Sequence, residues 1–328
     1  MSTYKGIQGY TVQSLASDPP ASQATGQLWY NSASNVWKVG SEASGAWSSG
    51  GTINNGRYDL AGCGLQSAAL IFGGAVPFKQ FTEKYDGSTW TEVGNLTSAG
   101  RSGGLGTGTQ TAAIASSGSG GPGARVTVSE TWNGSSWTEG NNINTARIGI
   151  MGTGITTAAL GIMGSTNGPA PTYQKYVEEW DGSSWCEGND TNTARGYVGA
   201  SGKGTVTASL VFGGQTTVHL GLTEVYDGSS WSEVADLNQI RSRGGGSGTS
   251  TAALYFGGAA PPGAVGNTEI WDGTSWTAVT ALTNARESLA GAGTSTLALA
   301  AAGAPGAPVD QLTEEWVSGP VIATVTTS

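Results

Sequence analysis

Charged residues, histidine and cysteine are scarce in this sequence. Charged side chains make up 11% of its 328 residues, and it contains one His and two Cys. The single His cannot form a two-His metal site, and no set of residues suggests a catalytic triad. Cys63 and Cys186 fall in different copies of an internal repeat and have no metal-type spacing, so we expect neither a disulfide between them nor a metal site. We expect no cofactor.

Long apolar runs are also missing. No stretch is long enough to span a membrane, and Met1–Leu15 has neither an apolar core nor a cleavage site of the secretory type. The net charge is -9 and only six Lys are present, which argues against sequence-independent nucleic-acid binding, because such binding requires neutralisation of phosphates. We therefore expect no membrane insertion, no nucleic-acid partner, and a chain that starts in the cytoplasm of the cell that makes it.

Glycine and aromatic residues are abundant instead: the chain has 55 Gly, 12 Trp and 10 Tyr. So many aromatic side chains indicate packed structure rather than disorder. No long run shows the periodicity of a helix, which favours an all-β fold.

One phrase recurs through the chain and joins a Glu to an Asp–Gly pair and a Trp. Its copies are TEKYDGSTW (Thr82–Trp90), SETWNGSSW (Ser129–Trp137), VEEWDGSSW (Val177–Trp185), TEVYDGSSW (Thr223–Trp231) and TEIWDGTSW (Thr268–Trp276), and a truncated TEEW ends at Trp316. One Arg follows the Trp of each full copy, at Arg101, Arg147, Arg195, Arg241 and Arg286, and Arg57 follows Trp47 in the same way. From the first Arg to the last, the mean period is about 46 residues, which is within the range of propeller blades.

Each period predicts four short strands. The innermost strand starts at the Arg and is rich in Gly, which suits crowding near an axis. The second strand is a small and apolar run such as TAALYFGG (Thr251–Gly258). The Asp–Gly between strands three and four predicts a hairpin turn, because Gly accepts a positive φ; Asn133–Gly134 replaces it in one copy.

The order of double Gly, Glu-x-Tyr/Trp-Asp, Trp and Arg resembles the kelch repeat. The resemblance covers residues 47 to 316, although two copies lack the full double Gly, and it implies an all-β, six-bladed kelch-like β-propeller. The last copy has no fourth strand of its own, whereas an unmatched GAWSSG stretch (Gly45–Gly50) precedes Arg57. We predict that this stretch completes the last blade and closes the ring, which removes exposed strand edges. A seven-bladed ring that uses Gly26–Val39 is the alternative.

The predicted domains are an N-terminal arm (residues 1–40), the propeller (41–316) and a C-terminal tail (317–328). Loops that join strands two to three, or one blade to the next, share one face, which we call the variable face because its loops differ in length and sequence. Both terminal segments are expected to leave from the opposite face. Recognition usually lies on variable loops of a rigid scaffold. The candidate binding residues on the variable face are the six repeated Arg with Phe78, Arg125, Tyr173, Tyr176 and His219.

The repeated Arg residues have two interpretations. A ring of guanidinium groups would capture carboxylate, sulfate or phosphate groups, and the resemblance implies a use in binding acidic peptides, as in some kelch domains. Alternatively, each Arg pairs with the repeated Glu, which would satisfy two buried charges. The matching counts favour pairing. The repeated Glu residues are Glu83, Glu130, Glu178, Glu224, Glu269 and Glu314.

An enzymatic role finds little support. The repeated Trp residues are expected to pack blades rather than to bind sugars, and one carboxylate per hairpin cannot fill a calcium shell. His219 is expected to be a solvated loop residue. The chain lacks the ligand set of galactose oxidase, a copper enzyme with kelch repeats. Paired acids for glycoside cleavage stay open, because their separation in space is not visible in the sequence.

The leader, which contains a Pro-rich stretch and a predicted hairpin (LWYNS with NVWKV), resembles the leaders of bacteriophage fibre and appendage proteins that carry kelch-like repeats. The resemblance implies a non-enzymatic structural or adhesive protein of the virion. Its arm would bind other virion proteins or a second copy of the chain, and its propeller would bind a host-surface glycan or protein. A cellular kelch-type protein-interaction module is the alternative. A carbohydrate-active enzyme is disfavoured by the missing signal peptide and the missing catalytic clusters.

Overall fold

The chain forms two compact units, Met1–Ala46 with Val317–Ser328, and Trp47–Trp316. The structure, a computed structural model, describes residues 13–24, 26–75, 77–121, 123–166, 172–304 and 311–325. The first unit joins the predicted N-terminal arm to the predicted C-terminal tail. Within it, the Val325 N–H donates to the carbonyl oxygen of Trp37 at 2.9 Å.

The first unit contains a small sheet around the predicted hairpin. Its elements are β1 (Gln13–Leu15), α1 (Ala21–Ala24), β2 (Leu28–Asn31) and the start of β3 (Val36–Ser49). Strand β2 pairs antiparallel with β3, so the predicted hairpin is confirmed, and β1 adds in parallel to β2. The Asp18 carboxylate accepts hydrogen bonds from Trp29 Nε1 and Asn31 Nδ2, which ties the preceding segment to this sheet.

The second unit is built from antiparallel sheets of four strands, numbered here as blades in chain order. Blade 1 contains β4 (Ala61–Leu65), β5 (Ala68–Phe72), β6 (Thr82–Tyr85) and β7 (Trp90–Val93). Blade 2 contains β8 (Leu105–Gly108), β9 (Ala113–Ser116), a small hairpin of β10 (Ser119–Gly121) and β11 (Ala124–Arg125), β12 (Ser129–Trp132) and β13 (Trp137–Glu139). Blade 3 contains β14 (Met151–Ile155), β15 (Ala158–Ile162), the hairpin β16 (Ser165–Thr166) and β17 (Thr172–Tyr173), β18 (Val177–Trp180) and β19 (Trp185–Glu187).

The remaining blades follow the same order. Blade 4 contains β20 (Gly199–Ala200), β21 (Ser209–Phe212), β22 (Thr223–Tyr226) and β23 (Trp231–Val234). Blade 5 contains β24 (Gly245–Gly248), β25 (Ala253–Phe256), the hairpin β26 (Ala259–Ala260) and β27 (Gly263–Ala264), β28 (Thr268–Trp271) and β29 (Trp276–Val279). Blade 6 contains β30 (Ala290–Gly293), β31 (Leu297–Ala301) and β32 (Thr313–Thr324).

Blade 6 is completed from the other end of the chain, as predicted. The strand order places β3, which carries Trp47, beside β32, and β32 beside β31. The Trp47 ring lies 5.5 Å from the Trp316 ring, the same arrangement as the Trp132–Trp137 pair on strands three and four of blade 2. Residues Gly26–Val39 therefore supply no extra blade.

A closed cycle of backbone hydrogen bonds joins the blades around the axis. It passes through the second residue after each repeated Arg, and each N–H donates to the carbonyl oxygen of the preceding blade at 2.7–2.9 Å. The cycle runs from Ser288 to Arg243, Tyr197, Gly149, Gly103, Asp59 and back to Ser288. Among the described residues the cycle has six members, one from each blade, which is the arrangement of a β-propeller.

A second cycle of contacts joins the outer strands. The indole N–H of the Trp that begins strand four donates to the hydroxyl that begins strand three of the preceding blade, as in Trp137 to Thr82 at 2.9 Å and Trp47 to Thr268 at 3.0 Å. Blade 3 has Val177 at this position, which offers no hydroxyl, and Trp231 donates instead to the carbonyl oxygen of Asn189. The repeated Trp residues are thus buried packing residues, as the sequence analysis expected.

The innermost strands differ from the prediction in where they begin. In blade 3 the strand starts at Met151, not at Arg147. The intervening Gly149 has a φ of 64°, which turns the chain toward the axis before pairing begins. Small residues are needed beyond this turn, because a β-carbon at Gly106 would lie 2.6 Å from the β-carbon of Ala61 in the preceding blade.

The Asp–Gly turns between strands three and four are satisfied by their own side chains. In blade 3 the Asp181 carboxylate accepts hydrogen bonds from the N–H and hydroxyl groups of Ser183 and Ser184 at 2.7–3.1 Å. These bonds, of which the one from the Ser184 N–H contributes most, lower the pKa of Asp181 to about 2. Asn133 accepts the equivalent backbone bonds in blade 2 without an ionisable group.

We predict that Asp181→Asn will make the stability of the protein less dependent on pH in acid. The lowered pKa means that the ionised turn stabilises the fold above a pH of about 4, and that this contribution is lost as the pH falls toward 2. An Asn keeps the turn, as Asn133 does, but has no proton to bind. Urea denaturation from pH 5 to pH 2 should give a shallower decline for the variant than for the parent. Equal slopes would contradict this explanation of the turn.

Candidate functional site

The six repeated Arg residues are buried and paired with the repeated Glu. Each pair lies within one blade. The N···O distances are 2.5 Å for Arg57–Glu83, 3.2 Å for Arg101–Glu130, 2.8 Å for Arg147–Glu178, 2.6 Å for Arg195–Glu224 and 3.3 Å for Arg286–Glu314, and Arg241 contacts Glu269 in the same way. Exposure of these Arg residues is 0%, except for 4% at Arg101.

These side chains are therefore not available to a ligand, and their place among the candidate binding residues is corrected. Arg147 also donates to the carbonyl oxygens of Met163 and Tyr176, so it joins the ends of strand two and strand three. Burial lowers the pKa of Arg147, whereas the charge of Glu178 and its hydrogen bond act in the opposite direction. Glu178 in turn accepts from the N–H of Asn144, so each ion pair organises one inter-blade loop.

The other candidate residues lie on the loops of the variable face. Phe78 is half-buried in the loop between β5 and β6, and Tyr176 is 42% exposed just before β18. Arg125 is on the β10–β11 hairpin and donates to Ser165 Oγ of the next blade at 3.4 Å. Tyr173 is on β17 and His219 is in the loop between β21 and β22. Hydrogen bonds link Tyr173 to His219 through other side chains, and Phe78 is not part of this network.

A chain of hydrogen bonds links the loops of three blades. Gln215 Nε2 of blade 4 donates to the Tyr173 hydroxyl of blade 3 at 3.1 Å. The Ser242 hydroxyl of blade 5 donates to Gln215 Oε1 at 2.8 Å and lies 3.0 Å from His219 Nδ1. His219 is therefore held in a network and is not the solvated residue expected from the sequence. Such a network fixes the positions of polar groups before any ligand arrives.

Four further functional candidates were not predicted from the sequence. They occupy the positions of the axial hydrogen-bond cycle, where φ is 51° at Asp59, 55° at Tyr197, 59° at Arg243 and 55° at Ser288. Blades 2 and 3 have Gly103 and Gly149 at the same position. A positive φ costs a residue other than Gly about 1 kcal/mol or more, and such strain is concentrated at functional sites.

These side chains surround the variable-face mouth of the axial channel. The Arg243 guanidinium centre lies 4.3 Å from the centroid of the Tyr197 ring. Tyr197 in turn covers Gly149, where a β-carbon would lie 2.9 Å from three ring carbons. Burial raises the pKa of Asp59, while a hydrogen bond from Ser288 and the charge of Arg243 act to lower it. Burial also raises the pKa of the Tyr197 phenol.

The channel is narrow. The mouth residues and the residues below them line one cavity of about 90 Å³, well below the roughly 300 Å³ of a small ligand pocket. Cys63 and Lys203 line it further along, and burial raises the pKa of the Cys63 thiol to about 12. Both Cys residues are free, as predicted. A ligand of sugar size is therefore too large to enter the channel and would contact the loops around the mouth.

Within the described ranges, no three His, Cys, Asp or Glu residues lie close enough to hold a metal ion. Among the same residues, no helix is both long enough and apolar enough to cross a membrane.

Comparisons with known proteins give information on the fold alone. No family model matches the sequence, and no curated protein matches it. Among solved structures, that of YjhT is similar, with a TM-score of 0.69 and 11% sequence identity, over 83% of this chain and 99% of that chain. At this identity the similarity shows the fold alone. The fold class defined by the sheets and by this comparison is the all-β propeller.

Proposed function

We propose that this protein is a non-enzymatic binding module, displayed on a bacteriophage particle or appendage, whose variable face recognises a host-surface glycan or a protein. The observation that carries the binding role is the hydrogen-bonded chain from Tyr173 through Gln215 and Ser242 to His219. It joins loops of three blades at the mouth of a channel whose other candidate side chains are held at positive φ. A scaffold alone needs neither this network nor residues other than Gly at those positions.

The path of the chain supports a division of labour between the two units. Trp47 and Trp316, the ends of the second unit, lie at the end of blade 6 that corresponds to the Asp–Gly turns of the other blades. The chain therefore leaves the second unit away from its variable loops. A first unit made from both termini suits attachment to other virion proteins or to a second copy, and many copies on one particle would multiply a weak affinity.

The setting is tested by locating the protein. Phage particles purified by density gradient from the source culture should contain the chain when their proteins are identified by mass spectrometry. A variant without residues 1–39 should fold but should be absent from the particles. Recovery of the full chain only from the soluble fraction of uninfected cells would contradict the virion proposal and favour a cellular protein-interaction module.

A further inference from the structure

The two Arg residues that do not belong to the repeat lie close to one aromatic ring. The chain has eight Arg, and six are the buried partners of the repeated Glu. The remaining two are Arg125 and Arg243, on blades 2 and 5. Arg243 stacks on Tyr197 of blade 4, with 4.3 Å between the guanidinium centre and the ring centroid.

Arg125, on the β10–β11 hairpin, is connected to the surroundings of the same ring through Ser165. Its Nη2 donates to Ser165 Oγ, and Ser165 exchanges backbone hydrogen bonds of 2.8 Å and 3.0 Å with Ile148. The next residue, Gly149, is the one that the Tyr197 ring covers. Burial raises the pKa of the Tyr197 phenol, and the charges of Arg243 and Arg125 act in the opposite direction.

The environment of Arg243 differs from that of the repeated Arg residues. Each of those six has a carboxylate partner within 3.3 Å. In the described part of the chain, the Arg243 side chain has a contact with Tyr197 but no carboxylate within 4.0 Å and no hydrogen bond from its guanidinium. A guanidinium carries five N–H donors in a planar fork that matches an oxyanion. Asp59 is its nearest acidic neighbour on the cycle, and burial works against ionisation of that group.

We propose that Arg243 and Arg125 hold an oxyanion of an acidic glycan beside Tyr197, at the variable-face mouth of the channel. This inference rests on the proposed binding function and adds the chemical class of its ligand. A carboxylate, a sulfate or a phosphate on the glycan presents the same chemistry to the two guanidinium groups. The phenol, amide and imidazole groups of Tyr173, Gln215 and His219 offer the mixture of donors and acceptors that sugar hydroxyls need, which favours a glycan over an acidic peptide.

The backbone strain fits this assignment. Gly is compatible with the axial position in blades 2 and 3, so Gly at position 243 would satisfy the fold equally well. An Arg at position 243, where φ is 59°, lowers the stability of the fold. The strain is explained if the side chain contacts a ligand.

The test measures binding of the full chain by isothermal titration calorimetry. The probes are an oligogalacturonate for carboxylate, a heparin hexasaccharide for sulfate, a pentamannose 6-phosphate for phosphate, and neutral maltohexaose. At least one acidic probe should bind more tightly than maltohexaose by about tenfold or more, because each charge-assisted hydrogen bond contributes roughly that factor. Which acidic probe binds identifies the oxyanion.

Three variants separate the site from general charge. Arg243→Gly copies the residue of blades 2 and 3, and it should weaken binding of the acidic probe by about 10–100-fold without lowering the melting temperature. Arg125→Gln should weaken binding in the same direction. Lys175→Gln is the matched control, because Lys175 is an exposed cation just before β18 whose ion pair with Asp190 spans 3.7 Å. It should change the affinity by less than about twofold.

Two results would overturn the inference. One is that no acidic probe binds. The other is that Arg243→Gly binds the acidic probe as well as the parent does. The proposed function is separable from both: if maltohexaose binds and Tyr173→Phe with Gln215→Ala weakens that binding, the variable face is a binding surface whose ligand is neutral. Detection of the chain in phage particles would support the proposed virion location whether or not an acidic probe binds.

Discussion

Arg147→Ala will lower the free energy of unfolding by about 3–5 kcal/mol, because it leaves a buried carboxylate without its counter-charge. Arg147 and Glu178 are 0% and 2% exposed at the side chain, and their N···O distance is 2.8 Å. The same substitution also removes the donors to Met163 and Tyr176. Denaturant unfolding monitored by the fluorescence of the buried Trp residues measures the loss.

The control for this prediction is an exposed ion pair in the same blade. Lys175→Ala breaks the pair with Asp190, whose partners are 53% and 35% exposed, and should cost less than about 1 kcal/mol because solvent screens the pair. Arg147→Met combined with Glu178→Leu should recover part of the loss, since no charge is then buried without a partner. A loss of less than about 1 kcal/mol for Arg147→Ala would show that the ion pair contributes little to the scaffold.

Removal of residues 313–328 will abolish cooperative unfolding of the propeller. This truncation deletes Trp316, which is 0% exposed, and Glu314, the partner of the buried Arg286. Loss of a buried Trp costs about 3–5 kcal/mol, and an orphaned buried Arg costs a similar amount. Together these terms are comparable with the whole stability of a domain, about 5–15 kcal/mol.

A shorter truncation provides the matched control. Removal of residues 317–328 keeps Trp316 and Glu314, so blade 6 retains its buried contacts and the second unit should still unfold cooperatively. Calorimetry of the two truncated chains and the parent distinguishes these outcomes. If the chain that ends at residue 312 unfolds like the one that ends at residue 316, strand β32 is not what closes the ring.

The scaffold could be predicted from the sequence, because the same physical requirements recur in every blade. A turn that needs positive φ selects Gly after Asp or Asn, a buried Arg needs its Glu, and an indole N–H needs an acceptor in the preceding blade. Each requirement therefore appears at a fixed period. The placement of Trp47 in the last blade could be predicted, because the stretch Gly45–Gly50 had no partner in its own repeat and the last repeat lacked a fourth strand.

The candidate site was harder to predict from the sequence, because its residues share one repeat position but differ in residue type. The second residue after the repeated Arg is Asp59, Tyr197, Arg243 or Ser288 in four blades and Gly in two. Two Gly at one repeat position were the available signal of a positive φ. Once that position is known to face the axis, the four residues other than Gly identify the mouth of the axial channel. The hydrogen bond from Gln215 to Tyr173 depends on loop conformations that no repeat determines.

The central claim is that recognition occurs at the variable-face mouth, on a scaffold that the repeated ion pairs hold together. Hydrogen–deuterium exchange of the full chain, with and without the acidic glycan probes, tests it most directly. We predict slower exchange in the presence of a probe at residues 172–174, 196–198, 215–219 and 242–244. Slower exchange at the Asp–Gly turns, such as residues 86–89 and 181–184, or no change anywhere with any probe, would contradict the account.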